Sequence, residues 1–392
     1  MPKELIYADN AATTRISDKA FEKMLPFLQE QYGNASSQYS LGVTAKRAIK
    51  QAREQIAVAI GASPNDIIFT SGGSESNSWV LSRVAELFGG ERVHIITSVI
   101  EHHSVLSSCR VLERKGIDVT YLPVDKVGCV SIDNLKAAIR PDTKLVSIMF
   151  ANNEIGTIQP ISELGHYLRI HNILFHTDAV QAVGHIPVDV NNLYVDFLTA
   201  SAHKFNGAKG TGILYKRSGI SLPQMVFGGD QEHKLRSGTE NVAGIVAAGY
   251  ALDENVSDMV ATAERLDTFV KTTIDEIQAK VPNICVNGNK ENCLPGIVNI
   301  TFDNISGESL MHLLDLKGIC ISTSSACTSG KDQPSHVLMA LGLSEKQAKS
   351  TIRVSYGRYS TIQEVKSVIA AICDVHDKIL DVRQRSIPTS NY

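Results

Sequence analysis

A chain of 392 residues exceeds what one ordinary core holds, so two domains, or one large and one small, are expected. Hydrophobic residues make up 43% and charged residues 20%, a globular composition, and a net charge of -3 leaves no basic field of the kind a nucleic-acid binder needs. The sequence has no apolar run of membrane-spanning length, and the opening MPKELIYADNAATT lacks a signal-type hydrophobic run, so a cytoplasmic protein without a membrane partner is expected.

The predicted elements alternate through most of the first 250 residues. TAKRAIKQAREQIAVAIG (Thr44 to Gly61) places Ala48, Ala52, Ile56 and Ala59 on one face and stops at a glycine, which predicts an amphipathic helix. DIIFTSGG predicts a short strand and turn. RVHIITSVIEH, DVTYLPV, KLVSIMFANNE, NILFHTDAVQ and VDFLTASAHK predict further strands, each an apolar run, and ISELGHYLRIHN predicts a helix between two of them. Strands separated by helices point to an α/β domain with a mostly parallel sheet flanked by helices. Polar clusters follow several strands directly, where open α/β sheets bind ligands. From Ala243 to Val281 the pattern is helical. Beyond it GIVNITF, GICIST and TIRVSYG mix with the helical SGESLMHLLDLK and TIQEVKSVIAAICDVHDKIL, the pattern of a smaller α+β domain.

Seven cysteines, an odd number with no C-x-x-C pair, argue against a disulfide framework or a closed zinc site, and no metal is expected. Six of them sit in ordinary packing contexts. Cys327 does not: from Ser322 to Ser335 no large apolar residue surrounds it. Such a thiol reads as a reagent rather than a core residue.

Four groups could serve it. Lys204 follows a strand beside His203 and a glycine-rich turn, a place for a Schiff-base amine; a solvated loop lysine fits as well. Asp178, after NILF, could hold a pyridinium proton or cap a helix. Gly72, Gly73 and Ser74 open a helix after a strand, a phosphate site or a simple cap with Asn77; Ser201 and His203 could add donors to the phosphate. His102 could stack on a flat ring and move protons, or be structural.

Taken in order, YADNAATT, TSGGSESN, EHHSVL, NNEIGTIQP, HTDAVQ, SAHKFNGAKGTG, RSGTENV, SSACTSG and IRVSYGRYST span nearly the whole chain. In these motifs it resembles the class V aminotransferase branch of fold-type I pyridoxal phosphate enzymes, and within it the NifS/IscS group of cysteine desulfurases. The resemblance implies an aspartate aminotransferase-like fold, with a large cofactor-binding domain at 16–255 and a small domain made of 1–15 and 256–392. It implies pyridoxal 5'-phosphate held as a Schiff base by Lys204, Asp178 paired with the pyridine nitrogen, and Gln181 near the phenolic oxygen. His102 would stack on the ring and transfer protons, and Gly73, Ser74, Ser201 and His203 would hold the phosphate. Thr239 would complete that phosphate site from a second subunit, which implies a homodimer. Arg353 would grip the carboxylate of L-cysteine, assisted by Asn153 and Asn34. The family's loop cysteine takes the substrate sulfur, so Cys327 would carry a persulfide and alanine would be released. The acceptor would be a protein of iron–sulfur cluster assembly, tRNA thiolation or DNA phosphorothioation. Ala35, Tyr39 and Ala208 stand where the family commonly has Pro, His and Pro; they bear on substrate access and docking, not on the cofactor set. A selenocysteine lyase, an aminotransferase and a non-catalytic sulfur-pathway scaffold are the alternatives.

Overall fold

The computed structural model describes residues 5–303, 305–323 and 333–385. Among them the strands are β1 (Ile6–Tyr7), β2 (Ile67–Thr70), β3 (His94–Ser98), β4 (Asp118–Leu122), β5 (Thr143–Ser147), β6 (Leu174–Asp178), β7 (Phe197–Ser201), β8 (Gly212–Lys216), β9 (Cys285–Val286), β10 (Ile297–Thr301), β11 (Ile319–Cys320), β12 (Ser322–Thr323) and β13 (Thr351–Ser355).

The largest sheet has the order β2-β8-β7-β6-β5-β3-β4. From β4 through β3, β5 and β6 to β7 every pairing is parallel. β8, which is not among the predicted strands, is antiparallel to both β7 and β2. Two reversals restore the direction, so β2 runs the same way as the parallel set, and the carboxyl ends of six strands share one edge.

Successive strand residues point to opposite faces, and both faces are buried. Phe69, Ile96, Val146 and Leu198 join one cluster with Ile49 and Ile56 of the helix Ser40–Ala59. Ile68, Ile95, Leu145 and Phe197, one position away, join another with Trp79 and Val105 of the covering helices Gly73–Val84 and His103–Arg114. The first helix begins four residues before the predicted Thr44, and its buried face is Ala45, Ile49, Ala52 and Ile56; Ala48 is only half-buried. Its end is as predicted: Gly61 takes φ +68°, where a side chain would be strained.

A second, antiparallel sheet has the order β12-β13-β10-β9. Val298, Ile300, Ile352 and Val354 pack there with Phe269, Leu310 and Val368 of three helices, Met259–Lys280, Gly307–Asp315 and Ile362–Arg385. β1 pairs in parallel with β11, and Ala8 joins this second core. The long helical stretch after Ala243 is two helices broken at Asp258. Val242–Ser257 packs on the first core and Met259–Lys280 on the second.

Among the described cysteines, Cys109 and Cys373 are buried as expected, but Cys285 is exposed. It lies on β9, an edge strand with one neighbour, and its side chain points away from the core. Among the described residues no helix is long and apolar enough to cross a membrane.

Candidate active site

The carboxyl ends of β2, β3, β5, β6 and β7 deliver polar residues to one cavity of about 330 Å³. Each strand is fully or largely buried, and the chain turns out of the sheet just where its apolar run stops. Gly73, Ser74 and Asn77 come after β2, and His102 and Ser104 after β3. Asn153 follows β5, Asp178 and Gln181 lie at the end of β6, and Ser201, His203 and Lys204 end β7. The opposite wall is Asp9, Ala11, Ala12, Ser322 and Arg353. Residues up to 344 apart in sequence meet there, as in the bond from Arg353 Nη2 to Asp9 Oδ1 at 2.7 Å.

Asp178 is 5% exposed. Its Oδ1 accepts the Val180 N–H at 3.0 Å and its Oδ2 accepts from Asn77 Nδ2 at 2.6 Å. The carboxylate is thus fixed by two donors on the cavity wall. Lys204 Nζ donates to the carbonyls of Ala11 and Ala12 at 2.6 and 2.7 Å. Gln181 Nε2 donates to the same Ala11 carbonyl at 2.9 Å. The NAATT stretch is therefore pinned against the lysine turn, and His203 strengthens this by contacting Thr13 Oγ1 and accepting at its carbonyl from Thr14.

The helix Gly73–Val84 points its amino end at the cavity, and no side chain caps its first turn. Gly73 is required there: a Cβ would stand 2.7 Å from Val180 Cγ2. Uncapped N–H groups with Ser74, Ser201 and His203 form an anion-binding set. Burial, reinforced by Lys204 and Lys209, pushes the His203 imidazole down to about 4. His102 is also held below its ordinary range, chiefly by burial; Asp178 opposes this, and Lys204 and His103 add to it.

Arg353 is 4% exposed, and its Nη1 donates to the Asn153 carbonyl at 2.9 Å. Its Nε has no partner among the described residues. Arg353 lines the cavity, and a guanidinium there is a place for a carboxylate.

Two expected site residues lie apart from the cavity. Asn34 is exposed, and its Oδ1 accepts from Ser36 N–H. Thr239 is exposed in a separate cleft with Arg236 and Glu240. Cys327 lies outside the described residues. Asp9 and Ser104 escape a reading of local sequence, and Asn77 reads there only as a capping partner. The one signal for Asn77 is its place one turn inside the helix that Gly73 opens.

The donor set fits a phosphate-bearing aromatic aldehyde: an amine, a fixed carboxylate, an imidazole and an anion cradle face one cavity. The aminotransferase class-V family profile matches residues 6–368. Over 374 residues the chain is 47% identical to the cysteine desulfurase IscS of Methanosarcina thermophila, covering 95% of this chain and 92% of that protein. The chain belongs to the class-V aminotransferase family, among its cysteine desulfurases. Solved structures of this family agree. A NifS-like protein superposes with a TM-score of 0.90 at 38% identity, covering 95% of this chain and all (100%) of that one. SspA in complex with cysteine superposes with a TM-score of 0.81 at 37% identity, over 91% and 100%.

Proposed function

We propose that this cysteine desulfurase uses pyridoxal 5'-phosphate to convert L-cysteine to L-alanine and collects the sulfur on Cys327 as a persulfide. The observation that carries the reading is the meeting of Lys204, Asp178, His102 and Arg353 at one cavity whose wall includes Ser322. Cys327 is five residues beyond Ser322. The bound cysteine in the SspA structure supports the substrate.

When bound, the cofactor supplies an electron sink for the substrate's carbon atoms. Lys204 provides the amine that tethers it. Asp178 keeps a proton on the ring nitrogen, and Gln181 reaches the phenolic oxygen. Gly73, Ser74, Ser201 and His203 take the phosphate, while His102 covers the ring and takes part in proton transfer. Asn153 assists at the cofactor. Arg353 takes the substrate carboxylate with the hydrogens that Asp9 and the Asn153 carbonyl leave over, and Asn34 assists. The Cys327 thiolate bonds to the substrate sulfur; the carbon–sulfur bond breaks with its electrons left on carbon, and a proton there completes alanine.

The exposure of Thr239 outside the cavity supports a homodimer in which it completes the phosphate site of the partner protomer. The separate cores support a large domain at 16–255 and a small one from 1–15 and 256–392. The sulfur goes to an acceptor protein of iron–sulfur assembly, tRNA thiolation or DNA phosphorothioation.

Purified protein saturated with the cofactor is expected to show its visible absorption band, to change that band on adding L-cysteine, and to release alanine. Lys204→Ala should abolish all three. Alanine formation at the wild-type rate by that variant would overturn the reading.

A further inference from the structure

Three hydrogen bonds lead from Asp178 through Asn77 and Ser104 to His102, along the wall of the cavity. Asn77 Nδ2 is 2.6 Å from Asp178 Oδ2 and 2.9 Å from Ser104 Oγ. Ser104 Oγ is in turn 2.8 Å from His102 Nδ1. The Ser104 backbone N–H also donates to that nitrogen at 3.1 Å, making His102 the N-cap of the helix His103–Arg114.

The direction of every bond is forced. A backbone N–H only donates, so His102 Nδ1 offers a lone pair. An amide nitrogen only donates, so both Asn77 hydrogens are used, one on the carboxylate and one on the Ser104 oxygen. Turning the amide over would set its Oδ1 against Asp178 Oδ2, oxygen to oxygen. As drawn, Oδ1 is buried with no partner among the described residues, and the arrangement persists because the alternative is worse. With its oxygen accepting from Asn77, Ser104 sends its hydroxyl hydrogen to His102 Nδ1.

We infer that Asn77 and Ser104 are positioning residues that hold His102 as the tautomer with its proton on Nε2, so that the ring meets the cavity as a hydrogen-bond donor. Protonation of Nδ1 would set an N–H against the Ser104 backbone N–H and force the Ser104 hydroxyl hydrogen to turn away. All proton exchange between His102 and the cavity therefore runs through Nε2, and the resting ring offers a proton there rather than a lone pair. The charged or titratable groups facing the ring are Asp178, Lys204 and His103, with the His336 ring tilted against His103 at 4.9 Å between centroids. The assignment deepens the proposed role of His102 and rests on that reading only for its consequence in turnover.

Histidine labelled with nitrogen-15 in the cofactor-loaded enzyme reads the tautomer directly, with His102→Gln locating the signal. The expected spectrum at neutral pH has a bare Nδ1 and a protonated Nε2. In Ser104→Ala the backbone N–H alone still donates to Nδ1; with the hydroxyl donor lost, an Nδ1-protonated fraction should appear beside the Nε2 form, and kcat should fall about tenfold with KM for cysteine little changed. Ser104→Thr restores the hydroxyl and should restore both. A wild-type ring protonated on Nδ1, an unchanged tautomer in Ser104→Ala, or a threonine variant as impaired as the alanine one would overturn the inference. Because the tautomer is read without turnover, its failure is distinguishable from a failure to make alanine.

Discussion

At the residue scale the buried carboxyls Glu101 and Glu154 each contribute to the protein's response to pH. Both sit beside cavity residues, His102 and Asn153, and both are cut off from water. Burial pushes Glu101 up from 4.5 to about 8, against hydrogen bonds from Ser98 and the Met149 N–H. Burial pushes Glu154 up to about 7, against the Ser335 hydroxyl and Arg353. A carboxyl raised in the folded state stabilises the fold fully below its ordinary value and loses that contribution as pH rises through the folded value. From these two groups the fold loses stability between about pH 5 and pH 8, while the buried His176, His203 and His336, held below their ordinary value, act the other way up to about pH 6.5. Glu101→Gln should flatten its share of that slope, measured as the unfolding midpoint across the range; an identical slope in the variant would remove Glu101 from the account. Lys204, Asp178 and His102 are legible in sequence because each follows an apolar strand at once, where the chain must leave the sheet. Asn77 and Ser104 are not legible as site residues. Their meaning depends on contacts 101 and 27 residues away, which no local pattern encodes.

At the element scale the packing of the helix Gly73–Val84 against β6 and β7 fixes the anion cradle. Gly73→Ala would drive a methyl group to 2.7 Å from Val180 Cγ2. Overpacking of that kind costs about 1–3 kcal/mol, and the cradle moves with the helix. The expected result is a lower unfolding midpoint together with weaker cofactor retention in a titration; unaltered retention would show that the helix end does not hold the phosphate. The short helix His336–Ala340 has a comparable anchor. Ser335 caps it and donates to Glu154 Oε2 at 2.6 Å. Ser335→Ala leaves that buried carboxyl without its hydroxyl and should cost about 1–3 kcal/mol in denaturant unfolding. Most strands could be read from their apolar runs. β8 could not, because GTGILYK follows the lysine turn so closely that its glycines read as part of that turn. The helix break at Asp258 also went unseen, since apolar periodicity continues through it and only the choice of core changes.

At the scale of the whole molecule, the NAATT stretch and Asp9 tie the second core to the lysine turn of the first. Ala11 N–H donates to Ser355 Oγ of β13 at 2.9 Å while its carbonyl takes the Lys204 ammonium. The cavity thus closes only when both cores are in place. The proposed dimer adds a further requirement that complementation can test. Lys204→Ala and Thr239→Ala protomers should each be impaired alone. In a hybrid, both defects fall in one site and the other site is whole, so random mixing should recover about a quarter of wild-type activity. Recovery of nothing would place Thr239 outside the partner's site.

The central claim is that sulfur taken from cysteine at the Lys204 cavity passes to Cys327. Its most direct measurement is alanine release from L-cysteine by Cys327→Ala, with the visible cofactor band recorded on the same sample. The account predicts an intact band that still responds to cysteine, no protein-bound persulfide, and loss of catalytic alanine formation. Alanine released at the wild-type rate by that variant would contradict it.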